Sequence, residues 1–213
     1  MIKLTTYIYH FTHMGNLPSI IASGAIVCDR ICQASGVTCR EIAYSSLKQR
    51  RMMTTVEVAP GGTLGDYVPF YFGTRSPMLF TYKNGNVTGK PENQDEIIYL
   101  VSSVEYVAGR GLAFAFSDGH PIVEPKAFYN DLSKLNEVDL ALMEQTYWFD
   151  TNSDPDRKRR RQAEFLVHQH FAWDDVAAIG VRTAAMQNWV QETMRNARHQ
   201  PPCAIRPTWY YPD

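Results

Sequence analysis

Glu164 lies just after a run of five cationic residues, 157–161, at the point where an apolar stretch begins. If residues 163–167 form a strand, Gln162 and Glu164 share one face of it and the apolar side chains point the other way. A lone carboxylate beside a cationic segment suits a phosphate-rich ligand with reaction chemistry next to it. The pattern therefore favours a reactive site for such a ligand in this part of the chain.

Each residue of this kind also has a plain structural explanation. A run of charges is most often a solvated helix face, which here would begin at Asp154–Pro155. Other polar and aromatic candidates are by default surface charge or core packing. These other candidates are Arg50, Arg51, His10, His13 and Tyr71. No single one of them decides between the two explanations.

The overall charge limits how the chain can meet nucleic acid. Lys and Arg number 21 against 22 Asp and Glu, for a formal net charge of −1. A protein that binds duplex DNA by bulk electrostatics is normally basic, so any contact here must come from a local patch. No P-loop, zinc-protease, nucleophile-elbow or kinase motif is present. Gly61, Gly62 and Gly65 do not form a dinucleotide fingerprint, because no strand leads directly into them.

The cysteines do not indicate a disulfide framework. Cys28, Cys32 and Cys39 are spaced C-x3-C-x6-C, which lacks the paired C-x2-C of structural zinc sites, and Cys203 is distant. A zinc site completed by upstream histidines is the less favoured interpretation, and free thiols are favoured. We expect no metal.

The length of 213 residues with 45% apolar content fits one domain over residues 1–213. No run of about 18 apolar residues predicts a membrane span, and the first residues lack the apolar stretch of a signal peptide. These features predict a cytoplasmic protein without a membrane segment.

Short strands and helices alternate without the regular rhythm of βαβ units, which predicts an α+β fold. Composition, caps and turn residues predict the elements. Predicted strands are 7–12, 67–72, 97–101 and 112–116, followed by an extended tail over 205–211. Predicted helices are 16–24, 41–52, one beginning at Ser76–Pro77, 139–147 and 183–196.

Several segments together resemble the DarT family of DNA ADP-ribosyltransferase toxins, and the resemblance covers essentially the whole chain. The most specific segments are Asp-Tyr-Val-Pro-Phe-Tyr-Phe (66–72), Arg-Ser-Pro-Met-Leu (75–79) and Arg-Gln-Ala-Glu-Phe-Leu-Val (161–167). The remaining similar segments are 8–13, 42–44 with Arg50–Arg51, 61–65, 117–120, 158–160 and 206–211. The segments around 31–39 and 82–95 are expected to be variable loops.

The resemblance implies an ADP-ribosyltransferase fold, a central split mixed β-sheet flanked by helices, with NAD+ in a central cleft. It further implies transfer of ADP-ribose from NAD+, as a consumed substrate, to thymine or guanine in single-stranded DNA. An antitoxin with a macrodomain, which removes the modification, is the implied partner.

The resemblance also implies roles for individual residues. Glu164 and Arg51 match the catalytic glutamate and the essential arginine. His10 matches a histidine at the nicotinamide end of NAD+, and Tyr71 an aromatic that packs against NAD+. Cofactor-binding residues are then His10, Thr12, Arg51, Tyr71 and His120. Residues expected to bind DNA are Arg75, Tyr147, Trp148, Arg157, Arg159 and Arg161.

Two other functions stay open at the level of sequence. A protein-directed mono-ADP-ribosyltransferase would use the same fold and ignore added DNA. A non-catalytic single-strand-binding module would have no evident use for the anion Glu164 beside a cationic groove. The cationic run and its neighbouring aromatics favour the DNA-modifying enzyme.

Overall fold

A computed structural model describes residues 5–36, 40, 42, 45–85 and 92–212. Ten strands lie within these residues, and they are listed in chain order. They are β1 Tyr7–His13, β2 Ala25–Val27, β3 Tyr67–Tyr71, β4 Ile97–Ser103, β5 Phe114–Ser117, β6 Phe128–Tyr129, β7 Glu164–His168, β8 His170–Ala172, β9 Ala178–Val181 and β10 Cys203–Ile205.

Eight α-helices lie in the same part of the chain. They are α1 Leu17–Ser23, α2 Asp29–Ser35, α3 Ser45–Met53, α4 Pro77–Lys83, α5 Val104–Gly109, α6 Leu140–Met143, α7 Arg157–Arg160 and α8 Ala184–Met194. Side-chain caps fix the first turns of α4, as the sequence predicted, and of α8, whereas Asn16 before α1 makes no such hydrogen bond. Ser76 Oγ accepts a hydrogen bond from the Leu79 amide at the start of α4, and Thr183 caps α8 in the same way.

The main sheet has eight strands in the order β10-β9-β4-β1-β3-β7-β5-β6, and β2 pairs with β8 in a separate ribbon. Only β9 and β10 are parallel neighbours, so the sheet is mixed and the fold is α+β as predicted. The register between β1 and β3 is limited to Tyr9 opposite Tyr71, whereas β1 and β4 pair over seven residues. The sheet is therefore split between β1 and β3.

An aromatic core holds the second half of the sheet together. Phe70 on β3, Phe116 on β5 and Phe165 on β7 are fully buried. Phe116 and Phe165 lie parallel, with ring centroids 6.4 Å apart. Burial of side chains of this size is the main stabilising contribution to a core, and here it fixes the strand that begins at Glu164.

Several predicted elements have different bounds. The helix expected over 139–147 is only α6, because the chain leaves the helix after Met143. The strand expected from Leu112 begins at Phe114, and the tail forms β10 followed by a turn of 3-10 helix at Pro207–Trp209. The first part of the segment expected to be a loop around 31–39 belongs to α2, and Cys39 lies outside the described residues. Part of the helix predicted over 41–52 also lies outside them, and α3 covers the rest.

Candidate active site

A cleft of about 740 Å³ opens along the split in the sheet. Strands β1, β3 and β7, helix α3 and the loop that follows β5 each contribute side chains to its wall. The residues proposed from the sequence for catalysis and cofactor binding all line it, and these are His10, Thr12, Arg51, Tyr71, His120 and Glu164. The fold thus brings together residues that are up to 154 positions apart in the chain.

Arg51 and Glu164 form a buried ion pair in this cleft. Arg51 Nη1 donates to both carboxylate oxygens of Glu164, at 2.8 and 3.1 Å. Burial alone would lower the pKa of Arg51, but the charge and hydrogen bonds of Glu164 outweigh it and raise that pKa. Arg51 Nη2 is buried and has no hydrogen-bond partner among the described residues. Such a donor is costly to bury unless a ligand satisfies it.

Glu164 is held by the backbone on both sides. It is the first residue of β7 and lies opposite Tyr71 of β3 in the antiparallel register. Its amide donates to the buried hydroxyl of Ser117 at the end of β5, at 3.1 Å. The strand considered as one alternative for this segment is present, and Gln162, which precedes it, also lines the cleft.

His10 presents an unprotonated nitrogen when it is neutral. Its Nδ1 lies 2.8 Å from the carbonyl oxygen of Pro69 and must donate, because a carbonyl only accepts. Nε2 of the neutral ring then carries the lone pair. Burial lowers the pKa of His10, against smaller opposing effects of Pro69 and Asp29. The ring is therefore neutral at pH 7.

His120 has the opposite tautomer. Its Nδ1 accepts from the amide of Ile122 at 3.2 Å, so the proton of the neutral ring lies on Nε2. Burial lowers the pKa of His120, Glu164 opposes this, and the cations Arg51 and Arg50 lower it further. The cleft thus combines a neutral histidine acceptor and a neutral histidine donor.

Tyr71 and Thr12 complete the set from the sequence. The ring of Tyr71 stacks on Phe11 with centroids 5.6 Å apart, and burial together with nearby Glu164 raises the pKa of its phenol. Thr12 is buried, and its hydroxyl accepts from Asn16 Nδ2 at 3.0 Å. Both side chains are fixed before any ligand binds.

The sequence did not single out several polar residues of the cleft. Asn16, Asp29 and Lys48 all line it, and Lys48 Nζ lies 2.8 Å from Asp29 Oδ1. One signal could have found Lys48, because it lies three positions before Arg51 and so on the same face of a helix. Nothing in the local sequence marks Asn16 or Asp29 as cleft residues.

The predicted DNA-binding aromatics are only partly accessible. Tyr147 is exposed, whereas Trp148 is buried and donates from Nε1 to the hydroxyl of Tyr211 at 2.7 Å. The prediction that Trp148 contacts DNA is therefore wrong for this structure, because its indole packs under the C-terminal segment. Phe149 stacks on it with centroids 3.9 Å apart and is itself exposed.

The cationic run forms helix α7 and the turn after it, and most of its charges point inward. Arg161 is 1% exposed, donating to the carbonyl of Thr74 at 2.5 Å, so the prediction that it binds DNA is wrong. Arg159 is engaged by Asp118 and Asp156. Arg157 donates to the Tyr147 carbonyl, with its guanidinium 5.9 Å from the centre of that ring. Local charge density alone did not reveal these internal partners.

Arg75 lies at the turn between β3 and α4. Its φ of 51° is in the left-handed region, which residues other than glycine rarely adopt. The hydroxyl of Tyr211 donates to its carbonyl oxygen and so holds the turn. Such backbone strain persists where surrounding contacts enforce it.

Two further findings concern ions and membranes. In the described residues, no group of three or more His, Cys, Asp or Glu side chains is placed to hold a metal ion. Cys28 and Cys203 form no disulfide in the described part of the chain. Among the helices of this part of the chain, none has the length and apolar character needed to cross a bilayer.

A split mixed sheet over a cleft with a Glu–Arg pair and two neutral histidines defines an ADP-ribosyltransferase type of protein. The family model described as "ssDNA thymidine ADP-ribosyltransferase, DarT" matches residues 9–211. The DNA ADP-ribosyl transferase of Thermus sp. (strain 2.9) is 36% identical over 208 residues, which cover 97% of this chain and 96% of the relative. The chain therefore belongs to the DarT family of DNA ADP-ribosyltransferases.

Other relatives and solved structures agree. The DNA ADP-ribosyl transferase of Mycobacterium tuberculosis is 30% identical over 209 residues, which cover 96% of this chain and 88% of the relative. The structure of Thermus sp. 2.9 DarT in complex with ADP-ribosylated ssDNA matches with a TM-score of 0.89 and 35% identity, over 97% of this chain and 96% of that one. The same Thermus protein in complex with NAD+ matches with a TM-score of 0.86 and 33% identity, over 99% and 100% of the two chains.

Proposed function

We propose that this protein transfers ADP-ribose from NAD+ to a thymine of single-stranded DNA. The observation that carries the proposal is the buried Arg51–Glu164 pair at the split in the sheet. The thymidine named in the description of the matching family model supports thymine over guanine. The Thermus relative in complex with ADP-ribosylated ssDNA supports DNA as the acceptor.

The cleft fits NAD+ in volume and in charge. Its 740 Å³ lies within the range of pockets that hold ligands of this size. Arg51 Nη2 is a buried donor without a partner, which a pyrophosphate oxygen or a ribose hydroxyl would satisfy. Lys48 adds a second cation on the same face of α3. Favourable pairing of these groups with an anionic ligand supports NAD+ as the substrate.

The proposed reaction exchanges one bond at C1′ of the nicotinamide ribose. The bond to nicotinamide breaks, with its electron pair leaving on nicotinamide, and a bond from the imide nitrogen of thymine forms. Glu164 stabilises the positive charge that develops on the sugar and accepts the imide proton. Arg51 orients the carboxylate through two hydrogen bonds.

The neutral histidines are placed to hydrogen-bond the bound nucleotide. His10 Nε2 is able to accept a hydrogen bond from the bound nucleotide, and His120 Nε2–H is able to donate one. Both rings line the cleft with Tyr71, whose ring offers a surface for packing. Fixed donors and acceptors of this kind need little reorganisation during reaction.

The DNA strand is proposed to follow the accessible aromatics and cations near α7. Tyr147 and Phe149 are exposed, and aromatic rings stack on unpaired bases of any sequence. Lys158 has an exposed side chain one residue beyond Arg157, which packs over Tyr147. Arg75 in the turn after β3 is the remaining proposed phosphate contact. Single-stranded DNA is favoured because pairing hides the imide nitrogen in a duplex.

We further propose that the protein acts in the cytoplasm as the toxin of a toxin–antitoxin pair. Modified template bases would block replication, and a macrodomain antitoxin would hydrolyse the modification. The family resemblance supports this role. The test is growth after induced expression in bacteria, alone or with an ADP-ribose-removing macrodomain. Growth arrest that the macrodomain does not relieve would contradict the pairing.

The main test uses purified protein, NAD+ and four oligonucleotides, each of which lacks one of the four bases. Mass spectrometry should find one added ADP-ribose unit on every oligonucleotide except the one without thymine. Glu164→Ala is the control that should leave all four unmodified. If only the oligonucleotides that contain guanine are modified, guanine and not thymine is the acceptor base. ADP-ribose found on the protein alone would support protein-directed transfer.

A further inference from the structure

Arg159 belongs to the cationic run but is committed to partners inside the molecule. Its Nη1 donates to Asp118 Oδ2 at 2.8 Å, and its Nε and Nη2 donate to the two oxygens of Asp156 at 2.7 and 2.8 Å. The side chain is only 11% exposed. These hydrogen bonds to Asp156 and Asp118 raise the pKa of Arg159 despite partial burial. All three nitrogens therefore donate to partners inside the molecule, and the low exposure of the side chain leaves it little access to a phosphate.

Arg159 holds the segment 117–120, which ends at His120. The carbonyl of Arg159 accepts from the His120 amide at 2.9 Å, while Asp118 Oδ1 accepts from the Ala127 amide. A Cβ added to Gly119 would lie 2.3 Å from Arg159 Nη1, so the guanidinium lies directly against the backbone there. The segment is thus fixed by side-chain and main-chain contacts to one residue.

The opposite side of the same segment is joined to Glu164. Ser117 Oγ accepts from the Glu164 amide at 3.1 Å and donates to the Gly119 carbonyl at 2.7 Å. The segment 117–120 therefore lies between Glu164 and Arg159. The position of His120 relative to Glu164 depends on both attachments.

We infer that Arg159, through its pair with Asp118, is a positioning residue that sets His120 against Glu164 for ADP-ribose transfer. This inference rests on the roles proposed above for Glu164 and His120. Displacing a reacting group by about 1 Å is enough to lower turnover by about 100-fold. A side chain that never meets substrate is in this way able to control the rate.

The test compares three single variants in DNA modification assays with both substrates varied. Arg159→Met removes the guanidinium, and Asp118→Asn weakens its partner while keeping the acceptor for the Ala127 amide. Lys158→Met is the matched control, because it removes a neighbouring cation whose side chain is exposed. Affinity for a single-stranded oligonucleotide is measured in parallel over a range of salt concentrations.

We expect Arg159→Met and Asp118→Asn each to lower kcat about 10- to 100-fold, with the KM for NAD+ within about threefold of wild type. Their DNA affinity and salt slope should stay as in wild type. Lys158→Met should reduce the magnitude of the salt slope by about 0.7, which is the signature of a lost phosphate contact.

Two outcomes would overturn the inference. One is a wild-type kcat in Asp118→Asn. This variant removes no cation that could bind DNA, and it tests the Arg159–Asp118 pair even if Arg159→Met fails to fold. The other is a smaller salt slope with wild-type kcat in Arg159→Met, which would make Arg159 a phosphate contact. Activity retained in Glu164→Gln would instead contradict the proposed function itself, so the two failures are distinguishable.

Discussion

Glu164 and Arg51 lie 113 positions apart in the chain and meet in a cleft where each side chain is less than 10% exposed. Replacing Glu164 by Gln keeps the size of the side chain but removes the charge and the base. Loss of such a group typically costs about 10²- to 10⁴-fold in rate. We expect a drop of that size in DNA modification at saturating substrates, measured by mass spectrometry.

The control for Glu164→Gln is Glu144→Gln, which changes an exposed carboxylate outside the cleft. NAD+ binding to Glu164→Gln should weaken much less than turnover, because the cationic and aromatic side chains remain. If Glu164→Gln turned over DNA about as fast as Glu144→Gln, Glu164 would have no part in the mechanism.

Arg51 is predicted to need its guanidinium and not only its charge. Arg51→Lys keeps a cation that is able to pair with Glu164, but it loses the second donor, the buried Nη2 that has no partner here. We expect turnover to fall at least about 100-fold, measured with NAD+ and oligonucleotide both saturating. Arg50→Lys changes the adjacent arginine and should have little effect. Near-wild-type turnover in Arg51→Lys would mean that Arg51 supplies charge alone.

At the scale of elements, helix α7 turns a run of like charges into a set of ion pairs. Arg160 pairs with Asp139 and Asp154, and Arg159 with Asp118 and Asp156. Partners this far away in sequence cannot be deduced from the composition of the run itself. Two or three phosphate contacts could be expected from the five cations. Arg157 is only 16% exposed and is held by Tyr147 and Asp154, so the structure leaves Lys158 as the accessible cation.

The salt dependence of DNA affinity should therefore reflect few contacts from this helix. At about −0.7 per single-strand contact, Lys158 would contribute about −0.7 to the slope of log affinity against log salt. Arg161→Met should leave the slope unchanged and instead lower the thermal midpoint, because its side chain is buried and donates to the Thr74 carbonyl. Fluorescence anisotropy and thermal unfolding measure the two quantities. A salt slope that changes equally in Arg161→Met and Lys158→Met would contradict the assignment of DNA contact to Lys158 and of a structural role to Arg161.

The elements that the sequence predicted well are those with local signals. Alternation and β-branched residues predicted β1, β3 and β4, proline in the first turn predicted α1 and α4, and the helical pattern of residues predicted α8. Helix α2 was missed because its residues, around the spaced cysteines, carry no cap or clear apolar period. The short strands β8 and β10 form only through pairing with distant strands, which local sequence does not specify.

The residues of the candidate site were predictable for a different reason. They are marked by similarity of whole segments to a family, and their convergence at the split between β1 and β3 follows from the sheet order. Trp148 and Arg161 were misassigned because residue type indicates chemistry but not exposure. Asn16 and Asp29 line the cleft through topology alone.

For the molecule as a whole, the buried histidines make folding stability depend on pH. Burial lowers the pKa of His10 and of His120 below the ordinary value of 6.5 that applies in the unfolded chain. Below pH 6.5 the unfolded state then binds more protons than the folded state, so the free energy of unfolding falls as pH falls. Above about pH 7.5 the rings are largely neutral in the unfolded chain as well as in the folded one, and this contribution to pH dependence disappears.

We expect the thermal midpoint to fall between pH 6.5 and pH 5, and to fall less in the double variant His10→Gln, His120→Gln. Carboxylates titrate in the lower part of this range in both proteins, so the difference between the two curves isolates the histidines. DNA modification by wild type should decline less between pH 7.5 and pH 6.5 than titration of an ordinary histidine would cause, because the pKa of both rings is lowered by burial. Differential scanning fluorimetry and the oligonucleotide assay over the same buffers test both statements. Parallel stability curves for the two proteins would show that neither histidine is held neutral by the fold.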